Sequence, residues 1–336
     1  MTTESAHTTR LEFLRRLGYV ALTALALMVY SEHLFWARPG PWATPREFIP
    51  TFLAYMLATD LFLVTVAFFR VRSMAALFLA GAVYGWFLEG VIVQTMYDDF
   101  PLNLSFTGLA WHALISVMLG WVILPASLSR GSIRRTVGLA AGIGAGYGLW
   151  SLWWWTIEPP PAEPLAFAAY TLALTLALML CYGLAPRVGL NAFRPSRVET
   201  GVLLGLAAAW FAIVTVPTQP LSLIVLPPLV ALLWVALTRN RRRETRPDQI
   251  QAVLAEPPPG VAHLFALLAL PTAACGVYAL AAALAARPPT GIVLYAITVP
   301  LGFALLVWAL ATTMRRPVRV PASDAPAAAP PPAPVP

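Results

Sequence analysis

Long apolar runs alternate with short polar segments along almost the whole chain. A helix needs about 20 predominantly apolar residues to cross the hydrocarbon of a bilayer. Runs of that order fall at 17–36, 48–69, 74–96, 105–128, 134–155, 164–185, 200–217, 221–238, 261–286 and 290–313. The seventh and eighth share one apolar stretch, and each is near the minimum length. The turn between them is placed at Pro217-Thr218-Gln219-Pro220, and Pro227 and Pro228 are expected to kink or break the eighth. The pattern predicts an all-α fold, a polytopic integral membrane helix bundle of about ten transmembrane helices. Residues 1–16 form a polar tail, 17–155 hold spans one to five, 164–313 hold spans six to ten, and 314–336 form a Pro/Ala-rich disordered tail. The first run follows an Arg-bearing start as a signal peptide does. It is long, however, and no small-residue cleavage site follows, so it reads as an uncleaved helix.

Composition sharpens this picture. Only 11% of the 336 residues are charged, against about 25% in a soluble domain, and the mean hydropathy is +0.72. All 22 basic residues are Arg. They flank apolar runs instead of forming one patch, so the net charge of +7 does not point to nucleic acid. On alternate connections they total 19; the opposite side holds only Arg38, Arg46 and Arg287. The positive-inside rule then puts both termini in the cytoplasm and demands an even number of spans. Exclusive use of Arg with 32 Pro suggests a GC-rich bacterial genome and hence the bacterial cytoplasmic (inner) membrane. Cys181 and Cys275 lie inside apolar runs and read as small core residues.

Chemistry concentrates between Gly81 and Gly120. Gly81, Gly85 and Glu89 recur every four residues in one run; Gly108, His112, Ser116 and Gly120 do so in the next. Residues four apart share a helix face, and small ones let membrane helices approach closely. An antiparallel pairing of Gly81 with Gly120 sets Gly85 opposite Ser116, Glu89 opposite His112 and Val93 opposite Gly108. It places the carboxylate and imidazole about 10 Å below the outer ends of their helices at about 1.5 Å per residue. An ionisable group in hydrocarbon is costly, and a partner at the same depth lowers that cost. The pair is either a structural hydrogen bond locking two helices or an acid/base pair.

Other residues extend the candidate site. Asp60 stands near the middle of the second span without a partner in its own helix, and joins Glu89 and His112 as a candidate catalytic residue. Glu32, His33, Trp86, Gln94, Trp111 and Ser116 are candidate substrate-binding residues on the same outer side. Trp36 and Trp42 beside Glu32 and His33 suit interfacial anchoring or a pocket wall. The Asp98-Asp99 loop is an exposed acidic turn or, with Glu89, a cation site. Gly138, Gly142 and Gly146 mark a helix-packing face in the fifth span, and Trp150 with Trp153–Trp155 an aromatic belt or a stacking platform. Spans six to ten carry no buried carboxylate and offer a surface for lipid or a membrane-protein partner. The Arg-rich start of the 239–260 connection suits anionic headgroups.

The four histidines are dispersed, so no metal site is assigned; no motif names a cofactor, and HExxH, GxSxG and Walker A sequences are absent. Ten spans would suit a five-plus-five inverted repeat, but polar residues crowd into the first half alone. Three readings remain: a membrane-embedded enzyme using acid/base chemistry on a lipid, isoprenoid or small-molecule substrate; a proton- or ion-coupled secondary transporter; and a non-catalytic scaffold or subunit of a membrane complex.

Overall fold

In a computed structural model describing residues 3–39, 44–157, 160–241 and 249–315, every regular element is helical. The helices are α1 (Thr3–Ser31), α2 (Pro45–Phe68), α3 (Met74–Ile92), α4 (Leu102–Arg130), α5 (Ile133–Ser151), α6 (Pro164–Leu184), α7 (Arg197–Thr218), α8 (Ser222–Arg241), α9 (Val261–Ala283) and α10 (Thr290–Met314). Among the described residues, nine helices are long and apolar enough to cross a bilayer, and the chain is a multi-pass helical membrane protein. The expected fifth span exists as the 19-residue α5 but is not one of the nine, because Arg134, Arg135 and its glycines dilute its apolar content. Trp42, Glu158, Arg242, Arg243, Arg246 and the tail from Arg316 onward lie outside the described residues.

Several helix bounds differ from the sequence reading. The first helix begins at Thr3, not near 17; its polar opening turns contain no helix breaker. α8 runs unbroken through Pro227 and Pro228, which fall in its second turn, where few backbone bonds are lost. α9 instead carries a turn at Leu267–Leu268. Pro271 has no N–H to give the Leu267 carbonyl, so the helix cannot close regularly there.

The centre of the bundle is α3. Of its most apolar stretch 89% is buried, against 11% for α7, so α3 is the axle and α7 is rim exposed to the bilayer. Small residues make this possible: Ala75, Ala76, Ala80, Gly81, Ala82 and Gly85 let α2, α4, α8 and α10 pack around it. One apolar cluster fills the space among α1, α2, α3, α4 and α8. A second lies among α1, α5, α6 and α9, with α1 between the two. In α5, Gly144 and Gly148 meet the α9 backbone at Leu270 and Ala274, whereas a Cβ on Gly138, Gly142 or Gly146 would meet nothing within 4 Å. The packing face of α5 is therefore the one next to that expected. Gly144 and Gly148 also stand four apart, and spacing cannot choose between interleaved glycine rows.

Candidate functional site

The site begins at the α3–α4 seam. A Cβ on Gly85 would overlap the Gly108 carbonyl oxygen, and one on Gly81 would lie 3.0 Å from Ala113. Gly108 in turn accommodates the Trp86 indole, and Gly120 faces Tyr30 of α1. The seam register therefore sets Gly81 beside Ala113 and Gly85 beside Gly108, not Gly81 beside Gly120 or Gly85 beside Ser116. In this register His112 sits deeper than the backbone of Glu89. The side chains still meet because each leans toward its own helix N-terminus, and in an antiparallel pair those directions converge. Glu89 Oε1 lies 2.7 Å from His112 Nε2. Both residues sit in stretches wound as π-helix, Leu88–Ile92 and Phe106–Ile123, a geometry frequent at functional sites, though α7 carries one too, at Phe211–Thr215.

The third contributor is the end of α1. A helix leaves its last four carbonyls without intrahelical donors, and near a membrane surface they need others. Here aromatic side chains supply them for Tyr30 and Ser31 and for the carbonyls of the turn that follows. Trp111 Nε1 donates to the Tyr30 and Ser31 carbonyls at 3.0 and 3.1 Å. Trp150 and Trp154 each donate to the Phe35 carbonyl at 2.6 Å. Tyr147 donates to the Trp36 carbonyl at 2.7 Å and Tyr170 to the His33 carbonyl at 3.0 Å. Around this turn Phe35 packs on Trp111, Trp150, Trp153 and Trp154, and Trp36 stacks on Trp154 at 4.3 Å. Of the tryptophans expected to form a belt or a stacking platform, Trp150 and Trp154 are tethers of the turn after Ser31 and Glu32, while Trp153 lines the cavity described below.

Ser31 joins the pair into a relay. His112 Nδ1 lies 3.1 Å from Ser31 Oγ, which donates to Ser116 Oγ at 2.9 Å and lies 3.2 Å from Tyr84 Oη. Thr95 donates to Glu89 Oε2. Glu32 stands apart from this chain, accepting from Tyr55 Oη at 3.0 Å and Trp36 Nε1 at 3.4 Å. Deeper along the same helices, the fully buried Leu27, Phe62, Phe78 and Val117 close the interior with apolar groups.

A cavity of about 630 Å³ opens above the relay. Its polar lining is Ser31, Glu32, Glu89, Thr95, Asp98, Asp99, Asn103, Thr107 and His112; Phe35, Trp36, Phe106, Trp111, Trp153 and Tyr295 give aromatic walls. Every lining hydroxyl already donates to the protein. Beyond the bonds above, Thr107 donates to the Asn103 carbonyl at 3.0 Å and Tyr295 to Asp99 Oδ2 at 2.6 Å. Asn103 Nδ2 donates to the Thr95 carbonyl at 3.0 Å. No Arg lines the cavity among the described residues.

Of the expected binding residues, Glu32 and Trp111 line this cavity and four do not. His33 turns to Tyr170. Trp86 is buried in the seam, donating to the Leu104 carbonyl at 3.0 Å. Gln94 accepts from Thr218 of α7 at 2.6 Å, and Ser116 lies beneath Ser31. Asp60 is also elsewhere: its charged neighbours are Arg16 and Glu199, which pair at 2.6 Å at the Arg-rich end of the bundle. Below the cavity rim Tyr97 donates to the Gly90 carbonyl at 2.9 Å, and burial pushes its phenol up to about 12.

Sequence reasoning missed Ser31, Thr95, Tyr295 and the role of α10, whose Gly291, Ile292, Tyr295 and Ala296 complete the wall. Ser31 next to Glu32 was a readable signal; a tyrosine in an otherwise apolar last span was a weaker one. No group of three or more His, Cys, Asp or Glu among the described residues is placed to hold a metal ion. Compared with known proteins, the chain matches no family model, no curated protein and no solved structure.

Proposed function

We propose that the protein is a membrane-embedded enzyme using acid/base chemistry on a lipid-borne substrate that reaches the cavity from the outer leaflet. The observation that carries this is the Glu89–His112 pair, 2.7 Å apart, with both residues lining a substrate-sized cavity. At 2.7 Å a single proton can sit on either member, as imidazolium and carboxylate or as imidazole and carboxylic acid. Such a pair can give its proton to a bound group and take one back without changing partners. Ser31 fixes the imidazole through its other ring nitrogen, as an orienting group does in acid/base sites. Ligand sites are concave and mostly apolar with a few convergent polar groups, and this cavity has that make-up.

The Arg-rich end is taken as cytoplasmic by the positive-inside rule, in a bacterial inner membrane, which puts the cavity on the far side. The apolar layer beneath the relay favours catalysis over transport, since alternating access needs polar lining toward both surfaces. Asp60, in its separate cluster with Arg16 and Glu199, has no part in the chemistry.

The test is to purify the protein, identify co-purifying lipids by mass spectrometry, and incubate them with wild type, Glu89→Gln and His112→Ala. Conversion by wild type and its loss in both variants is expected. Equal conversion by all three would overturn the proposal.

A further inference from the structure

The balance of donors and acceptors in the cavity narrows the ligand. Its lining hydroxyls and the Trp36 and Trp111 indoles all donate to protein acceptors. Against these stand the carboxylates of Glu32, Asp98 and Asp99, and of Glu89 in its pair with His112, set among aromatic rings and without an Arg. A phosphate or carboxylate head would meet repulsion and few free donors, and unmatched buried charge is costly. A sugar head needs donors as well as acceptors. A cation with N–H or N–CH groups needs only acceptors and ring faces, and aromatic walls attract such cations. The cavity is also lined by Val93, just past the end of α3, and Ile292 of α10, which are 49% and 76% exposed. An apolar tail can leave the cavity past them into the bilayer.

From this chemistry we infer that the cavity selects an amphiphile with a cationic amine head, held by the carboxylates and aromatic rings, its tail passing between α3 and α10. The inference rests on the cavity of the proposed enzyme and names the class of compound that enzyme would act on. Asp98 and Asp99 are exposed loop residues at the rim, so the charge can be altered there without disturbing the relay.

The experiment titrates hexylammonium, hexanol and hexanoate by calorimetry against the full-length protein in a neutral maltoside detergent. Wild type should bind hexylammonium about tenfold more tightly than hexanol, equivalent to about 1.4 kcal/mol, and hexanoate no better than hexanol. In Asp98→Asn/Asp99→Asn, checked for folding by size-exclusion profile, the ammonium preference should fall to about threefold or less, as rim charges act at partly screened range. Hexanoate binding as well as hexylammonium would overturn the inference, as would a preference unchanged in the double variant. The outcome separates from that of the enzyme test. An ammonium preference without lipid conversion keeps the ligand class and retires catalysis. Glu89-dependent conversion of an anionic lipid keeps catalysis and retires the amine.

Discussion

If Glu89 and His112 are one energetic unit, removing either should destabilise the protein by much of what removing both does. The geometry sets the magnitude. The two side chains meet at 2.7 Å, with His112 2% and Glu89 11% exposed. Breaking a buried pair by deleting one member costs about 3–5 kcal/mol, because the survivor is left desolvated. Here each survivor keeps one other partner, Thr95 for Glu89 and Ser31 for His112. The cavity also lets water reach the carboxylate. Glu89→Ala and His112→Ala should therefore each cost about 2–3 kcal/mol, near the value of a charge-assisted hydrogen bond. The double variant should fall short of the sum of the two by about 2 kcal/mol.

The measurement is equilibrium unfolding of the four proteins in mixed maltoside and dodecyl sulfate micelles, followed by tryptophan fluorescence. Additive losses, within about 0.5 kcal/mol, would refute the claim that the groups interact. The Ser31→Ala variant serves as an internal control. It removes the orienting hydroxyl and should reduce the coupling without abolishing it.

Three further outcomes follow from the packing and the loop. Gly85→Ala drives a methyl into the Gly108 carbonyl oxygen, and overpacking of this kind costs about 1–3 kcal/mol; thermal unfolding in detergent should fall clearly below wild type. Gly144→Ala, against the Leu270 backbone, should destabilise, whereas Gly142→Ala, with nothing in reach, should be neutral or stabilise by up to about 1 kcal/mol through helix propensity; equal effects in the same assay would refute the assigned face. Tyr97 has a folded phenol raised from 10.0 to about 12 by burial. Its contribution is fully present below pH 10 and is lost as pH rises through about 12, so Tyr97→Phe should flatten that alkaline loss in a pH series of unfolding curves.

Helix existence was legible because ten apolar runs leave a membrane chain few alternatives. The carboxylate–imidazole contact was legible for a different reason. Cost forces two ionisable groups in adjacent spans to find each other, even though the glycine ladder used to align them was out of register. Gly85 packs on Gly108 rather than facing Ser116, because Ser116 is drawn to Ser31 and Gly120 is filled by Tyr30. Those partners lie on α1, and no spacing within α3 and α4 reports them. Asp60 misled for the same reason: its surroundings, Arg16 and Glu199, are 44 and 139 residues away in sequence. Local pattern gives helix faces, but which face meets which helix is decided by contacts among all of them.

The role of the tryptophans makes the physical point sharper. In a soluble protein the last carbonyls of α1 would be satisfied by water. At a membrane surface next to an apolar cluster Trp111 satisfies those of Tyr30 and Ser31, and Trp150, Trp154, Tyr147 and Tyr170 satisfy carbonyls of the turn that follows, at Phe35, Trp36 and His33. Each such bond contributes about 1 kcal/mol net, and the Phe35 carbonyl is held twice, by Trp150 and Trp154. The turn holding Ser31 and Glu32 is thereby fixed from α4, α5 and α6 at once. Trp150→Phe keeps the ring packing and deletes only the bond to Phe35. If the tethers position the relay, this variant should lower turnover by wild-type comparison and weaken the Glu89–His112 coupling, although Trp150 touches neither residue. A variant with normal coupling and activity but reduced stability would show that the tethers support the fold alone.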